Sequence, residues 1–379
     1  MAHIIHRPEW SIPEREAAPE SAWLNRREFV RQLGLGAAAL GIQACGGDGG
    51  AIIGPTEPDP VVTQPDPPPG PTDPPPGPTD PPLPAEDPCH AAFPTSADQM
   101  ICASPNSDLY PARRNDGYPV PYGTETARSD ALSYNNYYEF IGSSNNVNSV
   151  WGFTGPLEVW PWTVEVSGQA ELTGTFDVAE LEREFGIEER VYRLRCVEAW
   201  SIVVPWSGFP LASLITKFRP LSTATHVKFT SFNRPEQAIG QRNQPWYPWP
   251  YYEGLRMDEA MNELAFVATG VYGQPLPKQN GAPWRLALPW KYGYKSAKGI
   301  TKIEFVSEEP GTFWSFVRPE AYGFYSNVNP DVPHPNWSQR YELPVPHRSQ
   351  TQRIETQLYN GYGEWVADLY DPELLTYRS

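Results

Sequence analysis

Residues 55–88 carry the near-repeat "PDPPPGPTDPPPGPTDPPLP", and no regular helix or sheet can pass through it. Proline fixes φ and has no amide hydrogen to donate, so the stretch is confined to extended polyproline II. At ~3.1 Å per residue it makes a spacer on the order of 100 Å. The tract therefore divides the chain of 379 residues. Roughly 250–290 residues of ordinary composition remain, enough for one large domain or two small ones. With 14 Trp and 20 Tyr, that part can build a sizeable core and aromatic-lined grooves. The net charge of −16 argues against a nucleic-acid partner, because phosphate binding needs a basic face.

The segment before the tract reads "NRREFVRQLGLGAAALGIQAC", with Arg26 and Arg27 ahead of a short apolar run at 33–44. That run is too short to span a bilayer and lacks a helical polar face. Residues 1–44 are expected to be a twin-arginine export signal, which carries folded, cofactor-loaded proteins to the periplasm. Two readings of Cys45 stand: a lipidated N-terminus after cleavage of "GIQAC", or an incidental cysteine near an Ala-x-Ala-like cut. In the first, 45–88 is a disordered tether that holds a soluble domain near a membrane.

Cys89 and Cys102 follow, in an exported compartment that is oxidising. With Cys45 and Cys196 in other roles, these two are expected to form a disulfide within an N-terminal strap at 89–125. Beyond it, strands are expected at 162–168, 191–196, 226–232, 264–273, 284–290 and 300–307. Helices are expected at 177–186, 210–218 and 257–264, the first with Asp177 as cap and Gly186 as stop. Strands outnumber helices and the connections are irregular, which is α+β rather than a βαβ series. No dinucleotide-binding or phosphate-loop motif appears.

Cys196 sits in the apolar run "RVYRLRCVEAWSIVVPW" with Arg193 and Arg195 just before it. A thiolate is stabilised by cations and most strongly by a bound metal, whereas a buried thiol gains nothing from them. On a regular strand both arginines face away from Cys196. Taken alone, the spacing suits an inert core cysteine better than a ligand or catalytic one.

The extended segment "RVYRLRCVEAWSIVVPWSGFPL" closely resembles the cysteine-bearing part of the sulfite oxidase superfamily. More narrowly, it resembles the molybdenum-dependent catalytic subunits of periplasmic protein-methionine-sulfoxide reductases. Seven further segments match in order: "YNNYYEF" at 134–140, "PEQAIGQ" at 235–241, "YYEGLRMDEAM" at 251–261, "TGVYGQPLPKQNGAPWRL" at 269–286, "PWKYGYK" at 289–295, "YGFYSNVNP" at 322–330 and "NGYGEWVADLY" at 360–370. The resemblance covers about residue 130 to the C-terminus. It implies a sulfite oxidase-type molybdopterin-binding fold at 126–379, with mixed sheets and short helices. It also implies a mononuclear molybdenum held by one pterin and by the thiolate of Cys196, which is both metal ligand and catalytic residue.

The same resemblance assigns cofactor contacts to Asn135, Tyr138 and Glu139, to Asn280 and Arg285, and to Ser296, Ala297 and Lys298. Arg285 suits the pterin phosphate through its guanidinium fork. Ser231 stands where the family has threonine, which keeps the hydroxyl. On the residues alone, Asn135 suits a turn, Arg285 an edge-strand surface charge and Glu139 a solvated carboxylate. The implied activity is reduction of methionine sulfoxide in exported proteins by oxygen-atom transfer. Electrons would come from a membrane haem-binding subunit. A sulfite- or other small-substrate-oxidising enzyme of the same fold is the first alternative, and it would demand arginines at the metal, with Arg193, Arg195, Arg234 and Arg242 as candidates. A tethered binding lipoprotein without catalysis is the second. Two segments depart from the family: 142–156, polar then aromatic, and 244–254, dense in rings. The ring-rich segment can hold a methionine side chain through sulfur–aromatic contact or pack an irregular loop.

Overall fold

The structure is a computed structural model that describes residues 100–134, 137–140, 154–346 and 352–371. Arg26, Arg27, Cys45, the proline tract, Cys89, Asn135 and residues 142–153 lie outside the described residues. Cys102 is disulfide-bonded, and Cys196 is the free cysteine among the described residues.

Thirteen strands are described: β1 (Arg113–Arg114), β2 (Thr163–Gly168), β3 (Gly174–Asp177), β4 (Glu188–Arg195), β5 (Trp200–Pro210), β6 (His226–Ser231), β7 (Tyr252–Arg256), β8 (Phe266–Val271), β9 (Gln274–Pro275), β10 (Arg285–Ala287), β11 (Ile300–Val306), β12 (Tyr341–Pro344) and β13 (Ile354–Glu355). They form two mixed sheets with a few short helices. The five-stranded sheet runs β3-β2-β11-β6-β7, with β2 parallel to β11 and the other pairs antiparallel. Alternation explains its inner face: Val164 and Val166 of β2, Val227 and Phe229 of β6, and Ile303 and Phe305 of β11 are all buried. Each such side chain contributes roughly 1.5–3 kcal/mol of burial.

The eight-stranded sheet is built on the β4–β5 hairpin. Ten of the eleven residues of β5 are buried, so it reads as a continuous apolar run rather than an alternating one. Its outer edge is divided. Trp206 to Pro210 pair with β8, while Trp200 and Ser201 pair with β12. β1 pairs with β4, which brings the 100–125 segment onto the same sheet.

Two helices close the core, α1 (Val178–Phe185) and α2 (Leu211–Phe218). Asp177 accepts the Glu180 amide at 3.1 Å, and Gly186 ends α1 at φ +67°. α2 buries Leu211, Leu214, Ile215 and Phe218, the i, i+3, i+4, i+7 stripe of an amphipathic helix. Pro210 closes β5 and caps α2 rather than opening it as the first helical residue. The helix expected at 257–264 is shorter, Met257–Met261, and the strand expected at 284–290 shrinks to β10. No described helix is long and apolar enough to cross a membrane.

Candidate active site

Cys196 follows the last residue of β4 and begins the turn into β5. Its amide donates to Trp200 O at 2.9 Å, and the Ala199 amide donates back to Cys196 O at 3.0 Å. Ala199 closes the turn at φ +69°, a left-handed conformation that costs an alanine about 1–2 kcal/mol. The thiol is buried, and burial pushes its pKa far up, with Glu198 adding to the effect. Arg195 and Lys298 pull the other way. Without a metal the sulfur is a neutral thiol. A bound metal ion would deprotonate it.

The side chains of the two arginines before Cys196 turn to a buried carboxylate. Arg193 and Arg195 both pair with Glu342, the latter from Nε to Oε2 at 2.9 Å, and all three are buried. Arg195 Nη1 also donates to the Cys196 carbonyl. Arg234 donates to Glu158 O and lies over the Trp162 ring, and Arg242 is exposed. None of the four forms the arginine cluster that an anionic substrate would require.

The second wall is made by 278–299. A 3-10 turn, Lys278–Asn280, ends at Gly281, whose φ is +104°. A Cβ there would lie 3.0 Å from Lys298 Cγ and 3.2 Å from Arg285 Cβ, so glycine permits the close approach. β10 runs beside 297–298 through a bridge between Arg285 and Lys298 and a bond from Leu286 N to Ala297 O at 2.8 Å. Asn280, Arg285, Ser296, Ala297 and Lys298 are thereby gathered and buried. Arg285 Nη1 donates to Asn280 O at 3.0 Å and its guanidinium lies over the Trp206 ring. Its Nη2 has no hydrogen-bond partner among the described residues, nor is there a carboxylate paired with it. Burial lowers its pKa to about 10.

Glu139 and Ser231 complete the crevice. Ser231 Oγ donates to Lys298 O at 2.6 Å. Burial pushes Glu139 up and Lys298 down, and each feels the other's charge. The Cys196 charge also acts on Lys298, which puts the thiol and this crevice in one neighbourhood. Glu139 is fixed from behind by the segment Ile239–Asn243, where the Gln241 amide donates to Glu139 O at 3.2 Å. A Cβ on Gly240 would meet that carbonyl at 2.4 Å. Glu139 is therefore not a solvated carboxylate, and Arg285 is not a surface charge.

The Tyr138 hydroxyl lies 3.2 Å from that of Tyr247 and its ring packs edge-on against Trp314. The ring-rich 244–254 segment is mainly packing: Trp249 and Tyr251 lie against Phe313, while Trp246 is exposed. Tyr322, a member of the same cluster through Trp314, is close enough to feel the Cys196 charge. A narrow cleft opens beside the cysteine turn, lined by Val197, Tyr292, Tyr294, His334 and Gln339 among others.

Sequence reasoning missed Gln279, Trp206, Glu342 and Gln339. Glu342 had one available signal, since two arginines in an apolar strand need a buried carboxylate somewhere. The others carry no local mark.

The residues present suit an organic anion with several N–H groups. The side-chain oxygens Asn280 Oδ1, Gln279 Oε1 and Glu139 Oε1 are buried acceptors without partners among the described residues, and Arg285 Nη2 is a buried donor in the same state. Buried polar atoms are nearly always satisfied in folded proteins, so their concentration here points to a ligand. Among the described residues no group of three or more His, Cys, Asp or Glu is placed to hold a metal alone.

Comparison with known proteins gives a consistent result. Residues 154–314 match the oxidoreductase molybdopterin binding domain. The chain is 46% identical over 269 residues to the protein-methionine-sulfoxide reductase catalytic subunit MsrP of Xanthomonas campestris pv. campestris, covering 70% of this chain and 82% of that one. The same-named subunit of Gluconobacter oxydans is 48% identical over 260 residues, 67% of this chain and 82% of that one. That of Burkholderia mallei is also 48% identical over 260 residues, 68% of this chain and 77% of that one.

Proposed function

Because the chain belongs to the family of the protein-methionine-sulfoxide reductase catalytic subunits, we propose that it reduces methionine sulfoxide in exported proteins. In this reading Cys196 is the protein's thiolate ligand to a mononuclear molybdenum carried by a single pterin. The overall change takes a sulfoxide, two electrons and two protons to a thioether and water. When bound, the cofactor supplies two-electron oxygen-atom exchange at the metal.

The chain's own residues do the rest. Arg285 has one guanidinium nitrogen left for a phosphate oxygen. Asn280, Gln279 and Glu139 offer oxygens to ring and amine N–H groups. Ser231 holds the Lys298 carbonyl, and Ser296 O accepts from the Lys298 ammonium at 3.0 Å, which keeps that strand against the crevice. The cleft beside Val197 is walled by the rings of Tyr292 and Tyr294, which suit contact with a thioether. The observation that carries the reading is Arg285: a fully buried guanidinium without an anion of its own.

Periplasmic location is supported by Arg26 and Arg27 ahead of the short apolar run, and membrane tethering by Cys45 before the proline tract. A catalytic subunit needs an electron source, and a membrane haem-binding subunit fits a tethered enzyme. Metal analysis of purified protein with and without Cys196→Ser, alongside turnover of methionine sulfoxide against sulfite, tests the proposal. Near-stoichiometric molybdenum with sulfoxide turnover supports it. Sulfite turnover alone, or protein that acquires no molybdenum, refutes it.

A further inference from the structure

The turn that carries Cys196 is held by a segment some 140 residues downstream. Trp337 Nε1 and Gln339 Nε2 both donate to the Val197 carbonyl, each at 2.8 Å. The Leu343 amide donates to Ala199 O at 2.9 Å. Gln339 Oε1 accepts from Arg195 Nη2 at 2.9 Å, and Arg195 Nη1 donates to Cys196 O. Gln339 therefore ties the Arg193–Glu342–Arg195 cluster to the cysteine turn.

These bonds exceed what the hairpin needs. The turn between β4 and β5 is already closed by its own two backbone bonds, Cys196 N to Trp200 O and Ala199 N to Cys196 O. Two side-chain donors on one carbonyl of a four-residue turn do not add to that closure. They fix its position in space. The turn also includes Ala199 in a left-handed conformation, which persists only where the surroundings over-determine it.

We propose that Trp337 and Gln339 are positioning residues for Cys196. By occupying the Val197 carbonyl from the far side, they set where the sulfur meets the metal, and so set the metal's redox potential. The inference rests on Cys196 as the metal's protein ligand. Partners of this kind typically carry ~10–100-fold in metal affinity or activity. Gln339 also lines the cleft, so a role in substrate contact is the competing outcome.

The test is a redox titration of the molybdenum EPR signal in substrate-free holoenzyme, with Trp337→Phe, Gln339→Leu and the double variant. Trp337→Phe keeps a ring for the stack on His334 (centroids 3.7 Å apart) and removes one N–H from a partly exposed site, so it keeps the fold. Both single variants are expected to shift the midpoint potential and the g-values, the double variant further. For the double variant kcat should fall about 10-fold, with KM within about 2-fold of the parent. Unchanged potential and g-values, with KM alone raised, would overturn the proposal and make these residues substrate contacts. Should Gln339→Leu not fold, Trp337→Phe decides. Cys196→Ser separates the two levels. If its EPR spectrum equals the parent's, the ligand assignment itself fails. If it differs while Trp337→Phe and Gln339→Leu match the parent, only the positioning role fails.

Discussion

The Arg193–Glu342–Arg195 cluster and the Glu139–Lys298–Arg285 crevice are buried to the same degree, yet the protein answers only the first. Glu342 receives both arginines and the Ser201 hydroxyl, while Asn360 and Gln339 accept further arginine donors around it. The buried pairs Lys291–Glu259 and Lys295–Glu253 are answered in the same way. In the crevice, Arg285, Asn280, Gln279 and Glu139 each keep a polar atom without a partner among the described residues, whereas Arg195 Nε and Glu342 Oε2, which also lack a hydrogen bond, face each other as an ion pair at 2.9 Å. Desolvation costs both regions alike. The first recovers the cost internally and acts as scaffold. The second recovers it only when something binds, which makes it a site.

The largest expected effect falls on the sulfur beside the crevice. Cys196→Ser should lower methionine sulfoxide turnover by more than the ~10–100-fold typical of an outer-sphere partner, measured per molybdenum bound. Next comes a direct contrast between the clusters. Glu342→Leu leaves two buried arginines without their carboxylate and should cost about 3–5 kcal/mol of unfolding free energy. Arg285→Met removes a charge that meets carbonyls but no carboxylate among the described residues, and should change the stability of cofactor-free protein by less than about 1 kcal/mol, or raise it. Its loss should appear in cofactor retention instead. Equal destabilisation by the two would break the comparison.

Glu182 is an intermediate case, a buried carboxylate met only by neutral donors, Trp284 at 2.7 Å and Asn106 at 3.0 Å. Burial pushes its pKa up to about 7 from 4.5. The folded state therefore holds a proton that the unfolded chain releases. This stabilisation is complete below about pH 4.5 and is lost as pH rises through about 7, by roughly 3 kcal/mol at most. Denaturant midpoints from pH 5 to 8 should show that fall, and Glu182→Gln should flatten it. A milder effect than that of Glu342→Leu is expected for Gly281→Ala. The left-handed φ and the contacts with Lys298 and Arg285 should cost about 1–3 kcal/mol, read as a lower Tm.

Local chemistry made some elements legible in advance. Asp177, Glu180 and Gly186 mark both ends of α1, and the apolar stripe of α2 needs no tertiary knowledge. β6 alternates cleanly, and β11 does so from Lys302 onward, after an irregularity between Ile300 and Lys302. β5 was not separable, because it is apolar throughout and carries Pro205 and Pro210, so no period marks its start. β7, β12 and β13 are short and polar, and they exist because a neighbour offers an edge. In the site, Cys196, Asn280, Arg285 and 296–298 were reachable through family resemblance, not through their spacing. Tyr138 was grouped with the crevice by that resemblance, and its ring packs within the aromatic cluster.

The sequence by itself determined the excess of strands over helices and the caps of α1. These depend on φ restrictions, donor counts and periodicity within a few residues. Only the tertiary structure decided that Arg193 and Arg195 belong to Glu342, that Arg285 stays without an anion, and that Trp337 and Gln339 reach the cysteine turn. Those outcomes depend on which distant groups share a low-dielectric interior, where an ionic partner or its absence carries several kcal/mol and no local pattern records it.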